Sequence, residues 1–262
     1  QWEIVNLLVN INQHTRIDKN LEEQLLASFK WLDKKVDSRA ALNWEDYLKQ
    51  SGFYRRIYRN LLFAVMAPKY HAQGDQAKEA LIRGRCDSLK ADNYFVSGIS
   101  ATDQIQDEMG PKELIQLHDF MQQPNKTAYE VYLSGFLPDD IEMNREIGTS
   151  YLRVQDFKSA AQWYKKAPES SLLASYQVFN EQLTDFGEDI ETEKFNKSIN
   201  QLEFANQMVA LEETMKSPKA PATAYFKYAN ALFSISYYGH SWGLVKNYRP
   251  TYLWYAPEYE QD

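Results

Sequence analysis

The sequence predicts an all-α fold of antiparallel helical hairpins, and three observations carry that prediction. Glycine (10) and proline (9) are sparse for a chain of 262 residues, which argues against an architecture of short strands and tight turns. Apolar residues recur three and four positions apart over most of the length, the period of one helix face. The stretches with that period are separated by cap and breaker residues: Asp18, Gly74-Asp75, Gly110-Pro111, Asp156 and the run SPKAP. Hydrophobic residues make up 44% and charged residues 25%, as in ordinary folded chains, so a sizeable core is available.

The elements follow in order. Residues 2–12 form a helix with Ile4, Leu7, Leu8 and Ile11 on one face. Asp18 or Asn20 caps a second helix, running to about Val36, with Leu21, Leu25, Phe29 and Leu32 inward. Asn43 opens a short third segment, NWEDYLKQ. The apolar stretch 53–67 is a helix that Pro68 is expected to end or kink, because proline lacks the N–H and its ring clashes with the preceding turn. Gly74-Asp75 is a turn before AKEALIRGRCDSL, and ADNYFVSGISAT (91–102) reads as a loop. Pro111 sits in the first turn of the next helix, which runs to about Gln122. TAYEVYLSG makes a short helix, Pro138 opens the following one, and residues 171 to about 186 are read as another. GEDIETE is a turn, residues 195–215 a long amphipathic helix, SPKAP a linker, and YANALF lies in the last helix.

The stretch 144–168, NREIGTSYLRVQDFKSAAQWYKKAP, anchors this architecture. Gly148 is followed by Tyr151; Ala160 is followed by Tyr164 and Ala167; Asp156 stands between as an N-cap. Small residues at Gly148 and Ala160 would let two antiparallel helices approach closely, with Tyr151 and Tyr164 filling the groove. Glycine inside a helix costs about 1 kcal/mol against alanine, so Gly148 implies a packing reason. The pattern resembles a tetratricopeptide repeat, with Ile147 where that family prefers leucine and Phe157 after the capping Asp156. It departs at Asn144, where tryptophan is favoured, at Gln155, where the turn commonly has glycine, and at Pro168 and Leu172, because the terminal proline comes early. Residues 54–90 match more loosely, one residue out of phase. Tyr228 to Phe233 is similar to the first helix of a further unit, with Ala229 in the small position. Its partner helix does not follow at the usual distance and is read either as displaced by an insertion or, by preference, as lying beyond residue 262. The resemblance implies an irregular tetratricopeptide-like superhelix in a single domain over 1–262: looser helices over 1–135, hairpins over 138–262. With YANALFSISYYGHSW near its end, the Tyr-rich, acidic chain resembles tetratricopeptide-like proteins of Bacteroidetes over about 140–262, which implies an exported location, periplasmic or outer-membrane-associated, with a cytoplasmic one left open and no assigned activity.

Charge and motifs narrow the function. A net charge of −7 disfavours nucleic acid as the main partner, because neutralising phosphates needs clustered cations. The nearest such cluster, Arg55, Arg56 and Arg59, reads as a solvated helix face. A single cysteine, Cys86, rules out an intrachain disulfide framework. No apolar run approaches the about 20 residues of a membrane span. The chain begins at Gln1 without an initiator methionine, which marks it as a processed form or a fragment. His14, His71, His118 and His240 include no pair at i,i+4, and no metal, nucleotide or hydrolase motif is present, so no cofactor is implied. His118-Asp119 diverge on a helix, Asp139-Asp140 suit a helix N-terminus, and Asp107-Glu108 read as a solvated pair. An all-α glycosidase stays open, because a pair of catalytic carboxylates has no sequence signature here. Asn125-Lys126-Thr127 and Asn196-Lys197-Ser198 match the glycosylation acceptor pattern.

The most unusual cluster is the aromatic tail: Tyr237, Tyr238, His240, Trp242, Tyr248, Tyr252, Trp254 and Tyr255. It reads either as an aromatic core or as a surface that stacks on sugar rings or grips a peptide. Tyr237, Tyr238, His240, Trp242, Tyr252, Trp254 and Tyr255 are therefore the candidate binding residues. The leading expectation is a non-enzymatic scaffold that presents a groove to a protein or peptide. The alternative is a carbohydrate-binding envelope protein using these aromatics.

Overall fold

The structure, a computed structural model, describes residues 2–37, 52–89, 100–138, 141–172, 174–176, 178–179 and 198–247. It is mostly helical. The chain divides into two compact units, the first of residues 1–105 and 115–140, the second of 106–114 and 141–262. Among the described residues no helix is long and apolar enough to cross a membrane.

The first unit opens with α1 (Trp2–Gln13), burying Ile4, Leu7 and Ile11, and α2 (Lys19–Asp37). Asp18, not Asn20, is the cap: its Oδ1 accepts the Leu21 N–H at 2.9 Å. Leu21, Leu25, Phe29 and Leu32 are all buried, as their spacing predicts. The segment around Asn43 lies outside the described residues. Next comes α3 (Gly52–Asn60), which continues through a π-helical turn (Leu61–Met66) into α4 (Ala67–Gln73). Pro68 therefore neither ends the helix nor stands in an α-helical interior. In the π turn the Ala67 N–H reaches back five residues to the Leu62 carbonyl, and this widened winding sits just where the missing Pro68 N–H would break the ladder. Gly74, at φ +74°, makes the left-handed turn into α5 (Gln76–Ser88), capped by Asp75.

Residues 91–99 lie outside the described part, but Ser100 is not loop-like: it forms a capping box with Asp103 at the start of α6 (Ala101–Asp103). A π turn (Gln104–Glu108) follows, then α7 (Pro111–Gln122), with proline in its first turn as expected. Thr127 and Glu130 form a capping box for α8 (Ala128–Ser134). Gly84 on α5 is the close approach of this unit: a Cβ there would lie 2.7 Å from the Phe136 carbonyl oxygen.

The second unit is built on α9 (Met143–Arg153) and α10 (Phe157–Tyr164), followed by α11 (Gln201–Met215) and α12 (Ala222–Ser234). Helix α9 begins five residues after Pro138; Asp139 and Asp140 lie outside the described residues. Asp156 caps α10, its Oδ1 accepting from the Ser159 N–H at 3.0 Å. Packing joins α9 to α10, α10 to α11 and α11 to α12.

Two sequence expectations fail between α10 and α11. Residues 169–171 form a 3₁₀ turn, and 174–176 form β1 (Ala174–Tyr176), not the start of a helix. This strand pairs antiparallel with β2 (Ile199–Asn200), with an irregular register. The long helix expected from Phe195 starts at Gln201, because Asn200 and Glu203 make a capping box there. A contiguous core joins the unit, including Leu152, Phe157, Ala160, Tyr164, Phe204, Met208, Ala231 and Leu244.

Candidate functional site

The aromatic residues singled out in the sequence begin where α12 ends. Ser234 fixes the turn: its carbonyl accepts the Ser241 N–H at 2.8 Å, folding 235–240 into a compact loop. Only glycine fits at 239, because a Cβ would stand 2.2 Å from that same carbonyl oxygen. Trp242–Leu244 then forms a 3₁₀ turn that buries Leu244. The Leu244 carbonyl lies 3.5 Å from Gln201 Nε2, which also reaches Thr149 Oγ1 at 3.4 Å. The loop is thereby tied to the helix stack of its own unit.

Within this loop Tyr238 is 50% exposed, while Tyr237, His240 and Trp242 are partly buried. The Tyr237 and Tyr238 rings stand 5.2 Å apart at 82°, edge to face, so the pair offers no flat shelf to a sugar ring. Tyr248, Tyr252, Trp254 and Tyr255 lie outside the described residues, as does Asn196. Two further rings, not singled out in the sequence, stand out on α12: Tyr225 is 51% and Phe226 50% exposed, with the Tyr225 hydroxyl donating to the Met215 carbonyl at 3.3 Å. Ala229 is also exposed, whereas Ala231 is the small residue turned into the core.

The anchor hairpin is held by a close contact. A Cβ on Gly148 would lie 2.7 Å from the Tyr164 ring, and Ala160 is fully buried beside it on the same helix as Tyr164. The Tyr164 hydroxyl is 3.0 Å from Thr149 Oγ1. Gln155, between the helices, adopts φ +60°, the left-handed conformation that glycine takes without strain. Nearby, Glu108 is exposed as its solvated reading expects, while Asp107 is half-buried and hydrogen-bonded. Its Oδ1 accepts the Asn247 N–H at 2.8 Å, and Arg153 donates to the carbonyls of Gln106 and Met109 at 2.6 and 2.7 Å. Those carbonyls stand at the end of the helical run before Pro111, and the half-buried guanidinium supplies a donor to both. Glu146, buried beside Arg145, is pushed up by burial, which Arg145 only partly offsets.

The first unit holds a polar ladder that no local motif announces. Each of four helical stretches contributes at least two residues, forming two layers that each contain an acid, a cation and two tyrosines. In one layer Glu22 Oε1 accepts from Lys78 Nζ at 2.6 Å and from the Tyr70 hydroxyl at 3.1 Å, and the Tyr70 and Tyr129 hydroxyls are 3.1 Å apart. Glu130 joins at 3.4 Å from the same Lys78 Nζ. In the other layer Asp33 accepts from Arg85 at 2.5 Å and from Tyr132 at 2.6 Å, with Tyr58 and Tyr132 hydroxyls 3.2 Å apart. The Phe29 ring, 5.3 Å from Tyr58 and 5.9 Å from Tyr129, is packed against rings of both layers. Glu22 and Asp33 share a face of α2 because eleven residues make about three turns. Tyr58 and Tyr70 are twelve apart, which on an ideal helix turns them about 120° away from each other; the residue absorbed by the π turn restores about three whole turns.

The ladder keeps its groups in fixed protonation states. Burial pushes Tyr58, Tyr70 and Tyr129 well above the ordinary phenol range and Tyr132 up to about 12, so all four stay neutral donors. Burial alone would lower Lys78, but its hydrogen bond and charge pairing with Glu22 hold it raised. Glu22 itself is raised by burial, with Lys78 and Tyr70 offsetting part. Burial acts the same way on Glu130, but the Thr127 N–H and Lys78 outweigh it and bring that carboxyl below the usual range. A charged lysine and neutral tyrosines are poor nucleophiles and bases, and the arrangement acts as a crosslink among four helical stretches. Among the described residues no three of His, Cys, Asp and Glu are grouped to hold a metal ion. The chain matches no family model, no curated protein and no solved structure.

Proposed function

We propose that the chain is a non-enzymatic interaction scaffold of the tetratricopeptide-like type, and that the helix stack of its second unit receives a protein or peptide. The observation that carries this reading is the order of packing: α9, α10, α11 and α12 each lie on a chain neighbour, with Gly148 as the close contact of the first pair. The half-exposed Tyr225 and Phe226 on α12 are the kind of aromatic anchors that interfaces use. An exported, envelope-associated location rests on the sequence resemblance alone. Carbohydrate binding is the second reading, and the half-exposed Tyr238 ring is the feature that favours it.

The test is a pull-down from envelope extract with the native chain and with Tyr225→Ala/Phe226→Ala, run beside a glycan array. A protein captured by the native chain and lost from the double variant supports the scaffold. Saturable glycan binding that the double variant retains, with no protein captured, overturns it in favour of carbohydrate recognition.

A further inference from the structure

We propose that an open depression of about 400 Å³ in the first unit binds a small zwitterion of amino-acid size, with Arg16 taking its carboxylate and Asp75 its ammonium group. This goes beyond the scaffold reading and does not depend on it, since every lining residue belongs to the first unit. Three elements meet there: Arg16 from the α1–α2 connection, Gln73, Gly74 and Asp75 from the α4–α5 turn, and Gln116 and Phe120 one helical turn apart on α7.

The walls are held in place while their binding groups are left unspent. Gln73 clamps the α1–α2 connection, with Oε1 accepting the Ile17 N–H at 2.7 Å and Nε2 donating to the Ile17 carbonyl at 3.1 Å. Lys69 donates to the His14 carbonyl at 2.8 Å, so the backbone is pinned on both sides of Arg16. The Arg16 side chain itself makes no hydrogen bond or ion pair with any described residue, and neither does Gln116. Asp75 commits Oδ1 to the Lys78 N–H at 3.1 Å, and its second oxygen has no hydrogen-bond partner among the described residues. Above Gly74 nothing lies within 4 Å of where a Cβ would be, which leaves room for a ligand to approach the backbone.

A planar guanidinium suits a carboxylate, and a free carboxylate oxygen suits an ammonium. The Gln116 amide can serve either, and Phe120, which also lines the depression, offers an apolar side chain a contact. The volume lies at the small end of ligand pockets, which suits a ligand of amino-acid size. Because the connection is pinned beforehand, binding has to order the Arg16 and Gln116 side chains but not the backbone that carries Arg16.

The test uses the whole chain and three probes: L-leucine, N-acetyl-L-leucine, which lacks the ammonium, and L-leucinamide, which lacks the carboxylate. Amide shifts of Gly74 and Asp75 and calorimetry give the affinities. Leucine is expected to bind saturably in the millimolar range, at least about tenfold tighter than either analogue. Arg16→Gln should abolish leucine binding. Asp75→Asn, which keeps the α5 cap, should weaken leucine about tenfold and leave N-acetyl-leucine unchanged. Absence of a saturable shift at Gly74, leucine binding that survives Arg16→Gln, or leucinamide binding as tightly as leucine would each overturn the proposal. Equal weakening of leucine and N-acetyl-leucine by Asp75→Asn would do the same.

Discussion

Replacing Gly148 by alanine adds one methyl group to the face of α9 that Tyr164 covers. That carbon would stand 2.7 Å from Cδ1 and Cε1 of the ring and 3.0 Å from Cζ. A comfortable carbon contact is about 3.5–4.0 Å. The ring has little room to retreat, because it is fully buried and its hydroxyl is bound to Thr149. Overpacking of this kind costs about 1–3 kcal/mol. Helix propensity pulls the other way, by about 1 kcal/mol in favour of alanine. The difference is a net loss of about 1 kcal/mol, or about 2–4 °C in the midpoint of thermal unfolding for a chain of this size. The sign is the informative part, and a second background sharpens it. With Tyr164→Ala already in place the obstruction is gone, so Gly148→Ala should then stabilise by about 1 kcal/mol. Circular dichroism melts of the four proteins give the cycle. If Gly148→Ala raises the midpoint in the otherwise native chain, the ring is not what keeps position 148 a glycine, and the account of the hairpin fails.

Three further outcomes follow from the same contacts. Gln155→Gly should raise the melting midpoint, because a left-handed residue other than glycine costs about 1–2 kcal/mol, against about 1 kcal/mol of extra entropy lost by glycine; the net gain is up to about 1 kcal/mol, and a fall would mean the turn relaxes elsewhere. Asp33→Ala should cost about 3 kcal/mol in urea unfolding, the lower end for breaking a buried pair, since the Asp33 side chain keeps 21% exposure while Arg85 is left at 9% without its carboxylate. Glu146→Gln should change the pH dependence of stability. A carboxyl raised in the folded state favours folding when protonated and loses that contribution as pH rises through its folded value. The variant should therefore gain on the native chain as pH climbs above the ordinary carboxylate range, and melts across acid to neutral pH that stay parallel would contradict the burial assigned to Glu146.

What the sequence made legible was whatever depends on near neighbours. Asp18, Asp75 and Asp156 cap helices within three residues of themselves, and Gly74-Asp75 and SPKAP break them, so those boundaries could be placed. The failures are where a distant segment decides. Residues 174–176 pair with 199–200 across more than twenty positions, and nothing in the apolar spacing of 171–186 announces a strand. Asp107 looks solvated until Asn247 comes to it from the far end of the second unit. The candidate site was half legible. Composition alone picks out Tyr237, Tyr238, His240 and Trp242, but not that the turn held by Ser234 and Gly239 sets the Tyr237 and Tyr238 rings edge to face, and Tyr225 and Phe226 pass unnoticed inside an ordinary helix. The ladder was illegible for the same reason: its members are spread from Glu22 to Tyr132, and its alignment needs a π turn that leaves no mark in the apolar period.

The two units set helix register by different means, and this bears on what each can do. In the second unit register is steric: Gly148 admits Tyr164, and Ala160, Ala161 and Ala231 line the seam. In the first, where Gly84 also closely approaches the Phe136 carbonyl, the Glu22 and Asp33 layers add an electrostatic and directional constraint. Buried acid–cation pairs are weak sources of net stability, because desolvation offsets much of their attraction, and an apolar layer of equal volume can be the more stable choice. Their contribution is specificity: any slip of α2 by one turn would leave Glu22 and Asp33 facing apolar neighbours with Lys78 and Arg85 unpaired, at a cost of several kcal/mol. Two layers three turns apart make the penalty apply twice to a single movement. A unit locked in that way keeps its connecting turns in fixed places, and the α1–α2 connection and the α4–α5 turn, which carry Arg16 and Asp75, are joined to helices that the Glu22–Lys78 layer holds. Loosening that layer should therefore weaken ligand binding at the depression before it unfolds the unit.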